Sequence, residues 1–421
     1  MGQLNATSQS KFNLLSFSEK LNHLQQVAEK AKLLWGYPAD AKVKLLNFTE
    51  NATFSLQAAG RPKVILRVHR LEYATFNNIR TELTWILNLK QQTKLSLALP
   101  QKSQNGHYIE AIETPSLAEK RYVVCFEYVA GSAPVDSSDT NEDLEPIVKT
   151  CKQIPNWLTF PLFRLAAGLE IKFGKYEKSE LTVEDRQLYQ KIGKIAATLH
   201  LAAQRWPQPA FYERMEWNFS GTFGRNNNFY GASYHTGHWL HSNEIRILDR
   251  CVELMRKRLM IYGNGPDRYG MIHSDLRTAN LLKNGQKITV LDFDDCGQGW
   301  FMYDLASAVA LMEHRSDIEE IITELLDGYQ QVRTITQQDQ DELWTFIMMR
   351  RIGLLQSLIY RMGMVVEGSG ETVELTPDVL EFFAKGTVVL ANRYLKRYSL
   401  MPAAKQALPT QKERKTKVPG L

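Results

Sequence analysis

The chain has 421 residues, 44% of them hydrophobic and 23% charged, enough apolar material for a sizeable core and more length than one ordinary domain needs. No apolar run reaches the roughly eighteen residues of a membrane helix. The polar start, Met1-Gly-Gln-Leu-Asn, has no basic or apolar leader region, which argues against a secretory signal. The net charge is +5, but residues 401–421 hold five Lys or Arg against one Glu, so the remainder is nearly neutral and neither a nucleic-acid nor a membrane partner is expected.

Cys125, Cys151, Cys251 and Cys296 are scattered without a C-x-x-C, which fits a reducing cytoplasm better than a disulfide frame or a zinc site. In chain order, Ser16-x-x-Glu19 is a capping box, and Leu21, Leu24, Val27, Ala31 and Leu34 repeat at helical spacing up to Gly36. Strand-like runs follow at 43–48, 53–58 and 64–69, the last two joined through Gly60-Arg61-Pro62. A helical pattern over about 76–92 precedes strands at 108–112 and 122–129. This β-β-β-α-β-β order describes a small antiparallel sheet carrying one helix.

Beyond Gly131 the pattern changes. Residues 134–145 are acidic and polar and read as a linker, and helical periodicity then dominates at 187–205, 244–259, 303–313, 318–329, 341–361 and 377–395. Residues 206–241, rich in Asn, Gly, Tyr, Trp and His, read as a long loop suited to acceptor selection. The only clear β element expected in this half is a hairpin at 281–291, turning at Asn284-Gly285. The expected organisation is a lead-in and helix over 1–37, a small nucleotide-binding lobe over 38–131, a helical catalytic and acceptor-binding lobe over 132–400, and a basic solvated tail over 401–421. The fold class is α+β and bilobal.

The chemistry concentrates around that hairpin. His273-Ser-Asp275-Leu-Arg-Thr-Ala-Asn280 places an amide five positions after a carboxylate, and Asp292-Phe-Asp294-Asp-Cys follows the hairpin. That order suits phosphoryl transfer: Asp275 as base for an attacking hydroxyl, with Asn280 and Asp292 as oxygen ligands of Mg²⁺. His273 joins the catalytic set in a role that orients the loop. Asp294, also a metal candidate, alternates onto the face of Asp292 and reaches either a second ion or only solvent. Asp304, at a helix start, is either an N-cap or a buried anchor for the loop. Arg67, in mid-strand among apolar neighbours, needs a carboxylate partner if buried; Glu82 on the helix supplies one, and the pair would clamp the nucleotide phosphates. Asn51 lies in a turn whose backbone N–H groups could cradle phosphate. Glu127 and Val129 end the last strand of the sheet, where extended backbone could meet the adenine edge.

Together these residues resemble the aminoglycoside phosphotransferase/choline-kinase family of the protein-kinase-like fold, through His273–Asn280, Leu291–Asp294, Asp304–Ala306, the strand around Arg67, and Glu82. The Asp-Phe-Asp-Asp variant is similar to bacterial stress-response Ser/Thr kinases and to homoserine kinases of this superfamily. The resemblance implies ATP, Mg²⁺ and transfer of the γ-phosphoryl group to a hydroxyl. The implied acceptor is a small molecule (aminoglycoside, amino-acid or choline-like), with a protein Ser/Thr kinase or a nucleotide-binding pseudokinase as alternatives. Arg67 stands where Lys is commoner and Ser274 where Gly is frequent, and neither is expected to break the set.

Overall fold

The computed structural model describes residues 11–48, 51–71, 74–114, 117, 119–134, 181–224, 228–229, 231–362, 365–368, 371–374 and 377–399. The acidic stretch of the linker and the basic tail lie outside them.

Helix α1 (Phe17–Leu34) opens on the expected reciprocal cap, with Ser16 and Glu19 each accepting from the other's backbone. Its apolar stripe, Leu24, Val27, Ala28 and Ala31, is buried against Phe54, Leu56 and Leu66 of an antiparallel sheet. That sheet contains β1 (Lys42–Phe48), β2 (Ala52–Gln57), β3 (Val64–Val68), β6 (Ile109–Thr114) and β7 (Glu119–Glu127). Alternation explains it: Phe54 and Leu56 point to one face, as do Val64, Leu66 and Val68. Helix α2 (Phe76–Gln92) starts at a Thr75 cap and buries Ile79, Leu83, Ile86 and Leu89. Two strands of two residues each, β4 (Ser96–Leu97) and β5 (Pro100–Gln101), were not expected; elements that short leave no period to read.

The second half is framed by α3 (Val183–Arg205), α5 (Ser242–Tyr262), α6 (Phe301–Ala308), α7 (Ile318–Gln330), α8 (Gln337–Tyr360) and α9 (Pro377–Ser399). Helices α3 and α7 meet where each has a glycine: a Cβ on Gly193 would strike the carbonyl of Leu325, and one on Gly328 that of Gln190. The predicted hairpin forms from β10 (Leu281–Asn284) and β11 (Lys287–Val290), although its two-residue turn is Gly285-Gln286, with Gly285 at φ +58. It is not the only β structure here. Strands β8 (Glu216–Trp217), β9 (Tyr269–Ile272) and β12 (Gly297–Trp300) form a second small sheet, with β9 leading directly into the His273 loop. A further hairpin, β13 (Val365–Gly368) and β14 (Glu371–Glu374), extends the first sheet by pairing with the end of β1, Asn47 opposite Gly368 and Phe48 opposite Glu367. The expected loop at 206–241 therefore includes β8 and a short helix, α4 (Phe219–Phe223).

Candidate active site

The loop that follows β9 is held by its backbone. Ser274 has φ +68, a left-handed conformation costly for any side chain but glycine. Asp304 in α6 stabilises it: one carboxylate oxygen accepts the His273 N–H at 3.0 Å and the other the Ser274 N–H at 2.6 Å. The Leu276 N–H donates to Ser307 Oγ at 2.9 Å. Asp304 is fully buried in the body of α6, whose N-cap is Trp300, so the anchoring alternative holds and the capping one does not. Its remaining partner is His200 Nε2 at 3.0 Å, and His200 Nδ1 meets Tyr329 Oη at 2.8 Å. The glycine crossing of α3 and α7 brings those two rings together.

His273 lies within 2.8 Å of the Leu291 carbonyl through Nε2, and Nδ1 accepts the Asp275 N–H at 3.3 Å. A carbonyl can only accept, so Nε2 carries the proton. Nε2 thus ties the loop to the segment before Asp292, and Nδ1 braces the loop itself.

Four donor contacts converge on the Asp275 carboxylate. Arg277 donates from Nε to Oδ1 at 2.8 Å and from Nη2 to Oδ2 at 3.0 Å. Asn280 Nδ2 reaches Oδ2 at 2.7 Å, and Arg350 Nη2, from α8, reaches Oδ1 at 2.5 Å. Burial alone would raise the Asp275 pKa, but Arg277 and Arg350 hold the carboxyl well below the ordinary carboxylate range.

Asp292 ends the hairpin at φ +54. Its side chain remains 55% open, and Arg67 Nη1 is 3.7 Å away. The crowded cleft and the neighbouring Asp294 carboxylate push it up to about 6. Excess negative charge on an open carboxylate is a setting a divalent cation would relieve, so the oxygens of Asp292 and Asn280 fit a hard metal ion. Asp294 is buried, which removes the solvent alternative. Its Oδ2 accepts from Asn51 Nδ2 at 2.7 Å, and its Oδ1 lies 4.0 Å from His69 Nδ1. Burial opposes ionisation of Asp294, yet the Arg67 and Arg214 charges and the hydrogen bond from Asn51 keep its carboxyl low.

Arg67 and Glu82 form a two-pronged pair, Nη2 lying 2.7 Å from each carboxylate oxygen. Burial pushes Glu82 up and Arg67 draws it down, and the double contact identifies an ionised pair. The Arg67 guanidinium also lies 4.9 Å from the centre of the Phe126 ring. The Asn51 side chain spans Asp294 and the Arg70 N–H (3.1 Å), while neighbouring Glu50 lies outside the described residues. Glu127 folds back so that Oε1 accepts the Leu99 N–H at 3.2 Å. Val129 lies past β7 on the connection that pairs, through Ser132, with Lys283 of β10.

Three side chains of this site escaped the sequence reading. Arg214, from the expected loop, donates to the carbonyls of Asp294 and Cys296 (the latter at 2.5 Å) and to the side chain of Asn78, tying the Asp292 turn to α2. Arg350 could have been noticed as one of two arginines inside the apolar run Phe346–Leu355, since buried cations require partners. Arg277 was inside the motif but had no role assigned.

A β-sheet carrying a buried Arg–Glu pair above a loop-and-hairpin cluster of Asp, Asn and Asp, on a mainly helical base, is the α+β protein-kinase-like fold. A model of the phosphotransferase enzyme family, APH, matches residues 171–338. The structure of a microcompartment-associated aminopropanol kinase is similar at TM-score 0.66 and 30% identity, covering 88% of this chain and 98% of that one. The curated amicoumacin kinase of Bacillus subtilis (strain 168) is 22% identical over 353 residues, 81% of this chain and 85% of that protein. An amicoumacin kinase solved with AMP-PNP, Ca²⁺ and Ami shares the fold at TM-score 0.62 and 19% identity, covering 90% of this chain and 96% of that one. The chain belongs to the phosphotransferase enzyme family and is a kinase-type phosphotransferase. Among the described residues no helix is long and apolar enough to cross a membrane.

Proposed function

We propose that this chain transfers the γ-phosphoryl group of ATP to a hydroxyl of a small acceptor, with Mg²⁺ as the metal ion. The observation that carries this reading is the convergence of Asp275, Asn280 and Asp292 opposite Arg67: Asn280 is 2.7 Å from Asp275, and Arg67 is 3.7 Å from Asp292. Arg67, fixed by Glu82, would hold the nucleotide phosphates. Asn280 and Asp292 would hold the metal ion, which neutralises phosphate charge when bound, with Asp294 close enough to add a carboxylate. Asp275 would orient the acceptor hydroxyl. The acceptor oxygen bonds to the γ-phosphorus as the bridging P–O bond breaks; ADP leaves with that electron pair, and the hydroxyl proton passes to Asp275.

The aminopropanol kinase and amicoumacin kinase relatives favour a small amino alcohol or antibiotic acceptor over a protein. The buried free thiols Cys125, Cys251 and Cys296 suit a reducing, cytoplasmic setting. Asp275→Asn keeps the shape and removes the base, so ADP release with an amino-alcohol panel should fall about 10²–10⁴-fold while nucleotide binding persists. Undiminished turnover in that variant would eliminate the role given to Asp275.

A further inference from the structure

Building on the role proposed for Asp275, the geometry points to Arg350 as a positioning residue, the cation that stays on Asp275 through turnover while its other donors leave. The argument begins with capacity. A carboxylate offers about four lone-pair directions, and Asp275 receives four donor contacts: two from Arg277, one from Asn280 and one from Arg350. In this arrangement it has no room for an acceptor hydroxyl, so some donors must move.

The three donor residues differ in freedom. Asn280 closes a single turn, Thr278–Asn280, and its Nδ2 is shared between Oδ2 and the Asp275 carbonyl at 2.8 Å. It can therefore release the carboxylate and keep a partner, with its amide oxygen left for the metal. Arg277 lies on the loop itself, and its side chain is 27% exposed. Arg350 is 5% exposed, and its helix has 24 residues packed on α6, which also carries Asp304 and Ser307. Its guanidinium lies 6.0 Å from the centre of the buried Tyr303 ring. The next residue, Arg351, is bound to Glu313, Thr387 Oγ1 and the Phe383 carbonyl, which fixes the rotation of α8.

Departure of Asn280 and Arg277 therefore frees Oδ2 completely and one contact on Oδ1, and leaves Asp275 with Arg350 on Oδ1. A buried carboxylate without any partner would be costly and would reorient. With Arg350 in place, Oδ2 keeps a fixed direction toward the acceptor. Asp275 then works as a positioned, weakly basic oxygen, which is what a loose phosphoryl-transfer transition state requires.

The test uses the full chain, ATP, Mg²⁺ and the best acceptor of the panel. Arg350→Met should lower kcat by about 100-fold, the scale of a small misplacement at a reacting group, with KM for ATP changed less than about twofold. Arg350→Lys should recover part of kcat, because it restores a cation on the same stem. In an Asp275→Asn background, Arg350→Met should add little further loss, since the two act as one unit. A folded Arg350→Met variant with wild-type kcat would overturn the proposal, as would an equal loss in both backgrounds. Should Arg350→Met fail to fold, Arg350→Gln, a neutral donor, takes its place in the same comparison. If Asp275→Asn alone retains full turnover, the base assignment has failed; if it is inactive while Arg350→Met is fully active, only the Arg350 proposal has.

Discussion

Ser274 shows how a single position serves the His273–Asn280 loop at a cost. Its φ of +68 costs a non-glycine residue about 1 kcal/mol, while its hydroxyl donates to the Asp295 carbonyl at 2.7 Å. That bond joins the loop before Asp275 to the turn after Asp292, a link that glycine cannot make. The departure from the commoner Gly thus trades strain for a tether. Ser274→Gly removes both, so its unfolding free energy should lie within about 1 kcal/mol of wild type. Ser274→Ala keeps the strain and loses the bond, and should be less stable by about 1–2 kcal/mol. Urea unfolding of the two variants checks the pair, and an alanine variant as stable as the glycine variant would refute this account.

At the scale of elements, the His273–Asn280 loop depends on helices packed behind it. Close approach of α3 and α7 at Gly193 and Gly328 places His200 and Tyr329 against each other and so completes the shell of Asp304. Gly193→Ala would force a methyl into the Leu325 backbone and should cost about 1–3 kcal/mol as the helices separate. Thermal unfolding measures that loss, and an unchanged midpoint would show that the crossing relaxes freely. Helices α3 and α8 were legible in the sequence because each is long and its apolar residues recur at helical spacing; their reciprocal caps, Thr182/Asp185 and Thr336/Asp339, went unread. The two helices begin at Val183 and Gln337, ahead of the expected 187 and 341, because polar first turns carry no apolar period. The β13–β14 hairpin was not legible: each strand has four residues, and its partner, β1, lies more than 300 positions earlier. No local pattern encodes that pairing.

At the scale of the whole molecule, the site is a meeting of distant segments. The motif from His273 to Asp294 was legible because its groups are close in sequence and the intervening hairpin is short. Arg350 and Arg214 were not, because what defines them is a partner 75 or 80 positions away. His69 belongs to the same group. It follows β3, is buried, and among the described residues neither ring nitrogen has a hydrogen-bond partner, with the Asp294 carboxylate 4.0 Å away. Burial first, and then the Arg67 charge, push its pKa down to about 3. An unfolded chain would bind that proton near the usual histidine value of about 6.5. Between those values the unfolded state holds the extra proton, so His69 contributes stability that is present above about pH 6.5 and drains as the pH falls, by about 1.4 kcal/mol per pH unit. His200, lowered chiefly by burial against the pull of Asp304, acts in the same direction. Glu82 and Asp292, both raised, act oppositely, so the total slope does not isolate one residue. A comparison does: His69→Phe removes the titrating ring while keeping its bulk. From pH 6 to 4, the unfolding free energy of the wild type should fall more steeply than that of His69→Phe by about 1.4 kcal/mol per pH unit. Equal slopes in urea unfolding would mean that His69 takes up its proton inside the folded protein, and that the cleft can accommodate a second cation beside Arg67.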